Sequence, residues 1–245
     1  MPQIVTPTIE LIAWTEFRPP SSVDWQTDAE GGTALAEFAG RSCYRAWRKE
    51  VPATATNAGY LRHLLQVGHL AALEHASATF YLTGISRAAA AELTRHRHFS
   101  FSELSPRFVG ESVEVVEPPE VAADPALHQA FVAGVAAAEQ AHRQLLAGLA
   151  AQPESGPPGK PARQAARTVL PAAAASTLVM TGNLRAWRHL IGMRAAEHAD
   201  RELRMVAIGC LRELRRLAPA AFADFVVTEL PDGSELASSP LVGDQ

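Results

Sequence analysis

Apolar positions along this chain change period several times, and each change marks an element. Thr8 to Trp14 is apolar and β-branched, which predicts an opening strand, and Pro19-Pro20-Ser21-Ser22 breaks it. Ala34 to Trp47, after Gly31-Gly32, has helical spacing with Leu35, Phe38, Ala39 and Cys43 on one face. Asn57 is expected to cap a helix through Leu61, Leu64, Leu65 and Val67 that ends at Gly68. Ala76 to Thr83 alternates and carries Thr79, Phe80 and Tyr81, so a strand is expected. Ser86 is placed to cap a short helix running to Leu93 or Thr94, and the next residues are expected to leave it as a loop.

Further on, Val113 to Val116 suits a short strand closed by Pro118-Pro119, and Ala126 to Ala151 reads as a long Ala- and Leu-rich helix. Residues 153–160 form a Pro/Gly-rich linker, taken as a surface loop. Arg163 to Val169 predicts a brief helix stopped by Pro171, and Ser176 to Met180 a strand. Asn183 is expected to cap a long helical region reaching Leu217, bent near Glu197 to Asp200, with Asp200 and Arg204 on its exposed side. A last strand is expected at Phe225 to Val227, and a tail from about residue 236 to 245. Together these elements predict one α/β domain of the α+β type over residues 1–245, a mixed sheet with long helices packed on it.

Composition changes this picture little. A hydrophobic share of 47% and a charged share of 20% fit a soluble globular chain. The net charge of −4 argues against a basic polyanion binder. Lys49 and Lys160 are the only lysines, so arginines carry nearly all the positive charge and must be judged by their clustering. Cys43 and Cys210 are far apart, make no metal or redox motif, and lie in apolar helical surroundings that predict inert buried thiols. Met1 to Pro7 has neither a basic region nor a long apolar run, so no leader is expected and a cytoplasmic location is. No apolar stretch reaches the length of a membrane span.

The clustering is greatest at Arg95-His96-Arg97-His98-Phe99-Ser100-Phe101-Ser102-Glu103-Leu104-Ser105-Pro106-Arg107-Phe108. Arginine stays charged at any working pH and its planar fork matches phosphate and carboxylate oxygens, so this stretch calls for an anion. It resembles the signature of the flavin-dependent thymidylate synthases: Arg-His-Arg, seven residues, then Ser, here Arg95, His96, Arg97 and Ser105, with Arg107 two further on. Four other segments resemble the same family. Gly68-His69-Leu70-Ala71-Ala72-Leu73-Glu74-His75 is similar to a flavin-side segment, with Ala71 where the family has a hydroxyl. Arg163 to Pro171 is similar to the segment supplying a nucleotide-binding Arg, here Arg167. Gly182 to His189 is similar to a flavin-contacting helix start. Arg194 falls where the family has the Arg that meets the uracil base.

The resemblance implies a homotetramer carrying out reductive methylation of dUMP to dTMP. Methylene-tetrahydrofolate gives the carbon, and NADPH gives the hydride through non-covalent FAD. It implies flavin contacts from His69, Ala71, Arg95, His96, Arg97, Glu103, Asn183, Leu184, Arg185 and His189. It implies nucleotide contacts from Glu92, Leu93, Thr94, Arg95, Glu103, Leu104, Ser105, Pro106, Arg107, Arg167 and Arg194, with Arg194 the catalytic group. Asn183 at a helix start suits a phosphate or a flavin edge, and Arg185 and His189, four apart, share a face. No nucleophilic Cys is implied.

Blander roles suit other residues. His63, His128, His142 and His198 suit surface or packing positions, Arg188 a solvated one, and Arg212, Arg215 and Arg216 a solvated helix face. His96 and His98 lack the Cys or carboxylates of a metal site, so no metal is expected, and Ser105 suits a phosphate better than nucleophilic attack. Two other readings stay open: an Arg-rich nucleic-acid binder, against which the acidity and the five segments weigh, and an FAD-binding homologue without methylation. The second is left open by Ala71, by Ser102 where many members carry Asn, and by Phe108 where many carry Tyr.

Overall fold

The computed structural model describes residues 2–105, 113–150 and 159–242. Strands β1 (Gln3–Ile4) and β2 (Thr8–Trp14) open the chain, followed by helices α1 (Gly31–Ser42) and α2 (Asn57–Gln66). Next come β3 (Ser77–Ser86), α3 (Arg87–Leu93), β4 (Phe99–Glu103), β5 (Glu114–Val115), α4 (Pro119–Ala122) and α5 (Pro125–Ala150). Then α6 (Lys160–Ala166), β6 (Ala175–Asn183), α7 (Leu184–Arg194), α8 (Arg201–Leu217), α9 (Pro219–Phe222), β7 (Val226–Glu229) and β8 (Glu235–Ser238) complete it. A four-stranded sheet has the order β2-β3-β6-β4; β1 pairs parallel with β5, and β7 pairs antiparallel with β8. Mixed sheets with long helices match the fold class expected from the sequence.

Contacts divide the chain into two compact units. One comprises residues 1–8, 82–95 and 102–178. Its apolar cluster joins Val113, Val115, Val135 and Ala174, with Phe131 and Leu170 packed against them. Ser86 caps α3 as expected, accepting from the Ala89 amide at 3.0 Å.

The other unit comprises residues 9–81, 96–101 and 179–245. In α8, Leu203, Val206, Ala207, Cys210, Leu211 and Leu214 are buried at helical spacing, a stripe of the kind that anchors a helix to a core. In β3 and β6 the pleat does the same with period two. Ala78 and Phe80, and Met180 and Gly182, face inward, while the hydroxyls of Thr79 and Thr181 bond each other at 2.9 Å on the other face. Trp187 of α7 is fully buried, edge-on to Phe80 and Phe99, and its indole N–H donates to the Ala78 carbonyl at 3.2 Å. Gly182 admits the Phe99 ring: a Cβ there would lie 2.3 Å from it.

Several elements differ from the sequence expectation. The segment after Arg97 is not all loop: Phe99–Glu103 is an edge strand, because its Phe/Ser alternation fits a half-covered sheet margin. The first long helix stops at Ser42, and the chain beyond turns through a left-handed Arg45 (φ 51). Cys43 is therefore exposed, whereas Cys210 is buried as expected. Thr56, not Asn57, caps α2 by accepting from the Gly59 amide at 3.1 Å. Asn57 points inward instead, donating to Thr33 O and Glu37 Oε2. The expected bend at Glu197 to Asp200 is a complete break between α7 and α8. The last strand has a partner, β8, where a tail is expected. The linker at 153–158 lies outside the described residues.

Candidate functional site

Helix α7 organises the site in the second unit. Asn183 caps it, its side-chain oxygen accepting from the Ala186 amide at 2.8 Å, and α7 is anchored by the buried Leu184 and Trp187. With that face buried, Arg185 and His189 are left exposed one turn apart. Arg185 pairs with Glu74 at 2.5 Å, tying α7 to the Leu70–His75 turn. Leu70, Glu74, His98, Asn183, Arg185 and His189 line a cavity of about 470 Å³, which Leu241 and Val242 border. At the other end of the helix, Arg194 Nε donates to His96 Nε2 at 2.9 Å. The His96 ring lies edge-on to His189, with centroids 6.4 Å apart. Arginine does not give up its proton, so His96 accepts at Nε2 in its neutral form, with the ring proton on Nδ1.

Other sequence-predicted residues fall as follows. His69 precedes the Leu70–His75 turn and meets Tyr44 edge-on, and Ala71 is exposed. Leu184 is buried and its amide donates to the Ala76 carbonyl at 2.9 Å, so it serves the fold directly. Arg97 is exposed.

In the first unit, Glu92 and Arg95 pair at 2.9 Å, one turn apart at the end of α3. Leu93 is buried and Thr94 caps the turn through Ala91 O. Glu103 accepts from the Ser176 hydroxyl at 3.2 Å, and the Leu104 amide donates to Thr177 O at 2.8 Å. Ser105 and Arg167 are half-buried. Pro106, Arg107 and Phe108 lie outside the described residues.

Three arginines expected in solvent are not there. Arg188 is buried and makes a two-pronged pair with Asp224 at 2.7 Å on each side, also donating to Ala221 O at 2.5 Å. Arg204 is buried and donates to Glu197 O at 2.7 Å and to Ser234 Oγ at 2.9 Å. Arg215 donates to the Phe222 and Phe225 carbonyls. Each holds a chain segment that sequence spacing does not bring near. Arg212 and Arg216 are exposed, as expected, in pairs with Glu235 and Glu213. His142 is buried, and its desolvation lowers its pKa. Glu74 and His98 are cavity residues without an expected site role. Both carried a signal: Glu74 stands in the Gly68–His75 segment, and His98 directly follows the Arg-His-Arg signature.

The cavity fits a flavin: it offers a guanidinium, an imidazole, a helix start and apolar walls, within the volume usual for cofactor sites. Among the described residues no group of His, Cys, Asp or Glu is placed to hold a metal ion, and no helix is long and apolar enough to cross a membrane.

Residues 26–220 match the family described as thymidylate synthase complementing protein. A flavin-dependent thymidylate synthase of Mycobacterium sp. (strain JLS) is 56% identical, with 96% of each chain covered. That of Mycobacterium leprae (strain Br4923) is 53% identical, with 98% of each covered. The solved structure of a UMP/dUMP methylase PolB from Streptomyces cacaoi, bound with 5-Br dUMP, shares the fold. Its TM-score is 0.67 at 23% identity, over 90% of this chain and 95% of that one.

Proposed function

This chain belongs to the flavin-dependent thymidylate synthase family, and we propose that it methylates dUMP reductively to dTMP as a single family domain assembled into a homotetramer. Methylene-tetrahydrofolate is the carbon donor and NADPH the reductant. The observation that carries this reading is the alignment of Arg185, His189 and Arg194 along one helix, with His96 of the Arg-His-Arg signature hydrogen-bonded to the last of them.

Asn183, Arg185 and His189 hold FAD, together with His69, Ala71, Arg95, His96, Arg97, Leu184 and Glu103. Flavin supplies the hydride-transfer chemistry when bound. Glu92, Leu93, Thr94, Arg95, Glu103, Leu104, Ser105, Pro106, Arg107, Arg167 and Arg194 hold dUMP. Within that set, Ser105, Arg107 and Arg167 grip the phosphate through a hydroxyl and two guanidinium forks.

Uracil must become electron-rich at C5 to attack the methylene carbon, and Arg194 provides for this without a cysteine. Its fixed positive charge at the N3/O4 edge stabilises the negative charge that develops there. His96 orients Arg194 by accepting from its Nε. Cys210 is poorly suited to be a nucleophile: it is buried, and burial pushes its thiol pKa far above the ordinary value.

The test is the absorption spectrum of purified protein, then dTMP formation from dUMP, methylene-tetrahydrofolate and NADPH. Flavin bands and dTMP that requires all three substrates are expected. Protein that takes up neither FAD nor FMN at micromolar concentration overturns the reading.

A further inference from the structure

Beyond β8 the chain turns back along α7 and closes one side of the cavity at the start of that helix. The Ala237 amide of β8 donates to the Ala195 carbonyl at 2.9 Å, which fixes the strand at the C-terminal end of α7. Ser239 to Val242 then make a tight turn: Ser239 and Val242 bridge, and the Leu241 amide donates to Ser239 Oγ at 3.0 Å. Leu241 and Val242 line the cavity beside Arg185, Arg188 and His189.

Two features hold this segment in place. The first is steric. A Cβ at Gly192, one turn after His189, would lie 2.5 Å from Val242 Cγ1. Glycine is unfavourable within a helix, and here its missing Cβ is what admits the valine side chain. The second is polar. The Ser239 hydroxyl donates to Asp224 Oδ2, on the carboxylate that takes the two-pronged pair from Arg188. Arg188 is buried and lines the cavity as well, so Asp224 fastens a cavity residue and the C-terminal segment together.

The segment also supplies what the rest of the cavity lacks. Most of the other lining side chains are polar or charged; the apolar ones are Leu70, Ala186, Leu241 and Val242. Leu241 is 38% exposed, apolar surface at the cavity edge that a bound ring would take out of water. Cofactor pockets combine a few polar anchors with apolar walls, because aromatic ring faces need apolar partners.

On the flavin reading above, on which this rests, we infer that Ser239 to Val242 form a strap that retains FAD. Leu241 and Val242 are binding residues that pack on a ring of the cofactor. Ser239, Asp224 and Arg188 are positioning residues that fasten the strap to α7.

The experiment uses FAD-loaded protein and measures two things. One is the rate of FAD release on dilution into FAD-free buffer. The other is the vibronic structure of the flavin absorption band, which sharpens in apolar surroundings. Leu241→Ala/Val242→Ala is expected to release FAD about tenfold faster or more, with a smoother band. Ser239→Ala is expected to shift both readouts the same way, and Ser239→Thr, which keeps the hydroxyl, to behave as the parent. Gly192→Ala pushes the strap away while favouring the helix, so it should speed release without lowering the thermal midpoint measured after flavin removal. Release and spectrum unchanged in Leu241→Ala/Val242→Ala and Gly192→Ala, with FAD bound to the parent, overturn the strap and leave the flavin reading intact. Faster release that comes with a lower midpoint in every variant makes the segment structural and also overturns the strap. Parent protein that takes up no flavin overturns both.

Discussion

Arg194 and His96 stand 98 positions apart in the chain, yet the guanidinium Nε of one donates to Nε2 of the other at 2.9 Å. His96 of the Arg-His-Arg signature is therefore joined directly to the C-terminal end of α7. An arginine held by a neutral imidazole keeps its full charge and loses rotational freedom, the state in which a fixed charge is most effective on a developing anion.

Arg194→Ala is expected to lower turnover by about 100- to 1000-fold, the cost of one preorganised contact, with smaller changes in dUMP affinity. Arg194→Lys keeps the charge but not the planar fork and is expected to recover only part of the rate. His96→Ala is expected to reduce turnover through the same arginine, so the His96→Ala/Arg194→Ala double variant should lose much less than the sum of the singles. Initial rates of dTMP formation, with flavin content measured alongside, check this. Strict additivity would separate the two residues.

Arg185→Ala is expected to weaken flavin retention with little effect on stability. Its pair with Glu74 is about half exposed on both sides, and exposed pairs contribute about 0–1 kcal/mol to folding. Flavin released on gel filtration, set against the thermal midpoint, makes the comparison. A large fall in the midpoint with flavin intact would make the pair structural.

Arg107→Ala and Arg167→Ala are each expected to weaken dUMP binding by about 1.5–3 kcal/mol, the range for hydrogen bonds to a charged group. FAD content should hold. Titration with dUMP followed through the flavin spectrum measures both, and equal loss of flavin and dUMP in the two variants would contradict separate sites.

Asp224→Ala is expected to destabilise the fold by about 3–5 kcal/mol, because it strands the buried Arg188 without its counter-charge. Burial alone would raise the Asp224 carboxyl, but bonds from Arg188 and Ser239 outweigh it and hold it below its ordinary value. A depressed carboxyl contributes its full stability above the unfolded value, about 3.9, and loses it as pH falls through the folded one. Parent and variant should therefore converge in stability as pH falls below about 4, which urea unfolding between neutral and acid pH would reveal.

What the sequence determined by itself was local. Helical spacing marked α7 and α8, the Asn183 and Ser86 caps were evident one turn from the amides they satisfy, and alternation marked β3. These features depend on residues within a few positions of one another, so period and cap chemistry suffice to read them. The family resemblance likewise named Arg185, His189, His96 and Arg194 as candidate site residues, although not who touches whom. Only the tertiary structure decided that. It buried Arg188 and Arg204, which look solvent-facing in a helical pattern, and Asn57, expected as a helix cap, because their partners Asp224, Ser234 and Glu37 arrive from distant segments. It made Phe99–Glu103 a strand, since an edge strand is defined by the neighbour it pairs with. It also held the turn after α1 through Glu37 and Arg41. A charge's partner is chosen by long-range packing, and no periodicity along the chain encodes it.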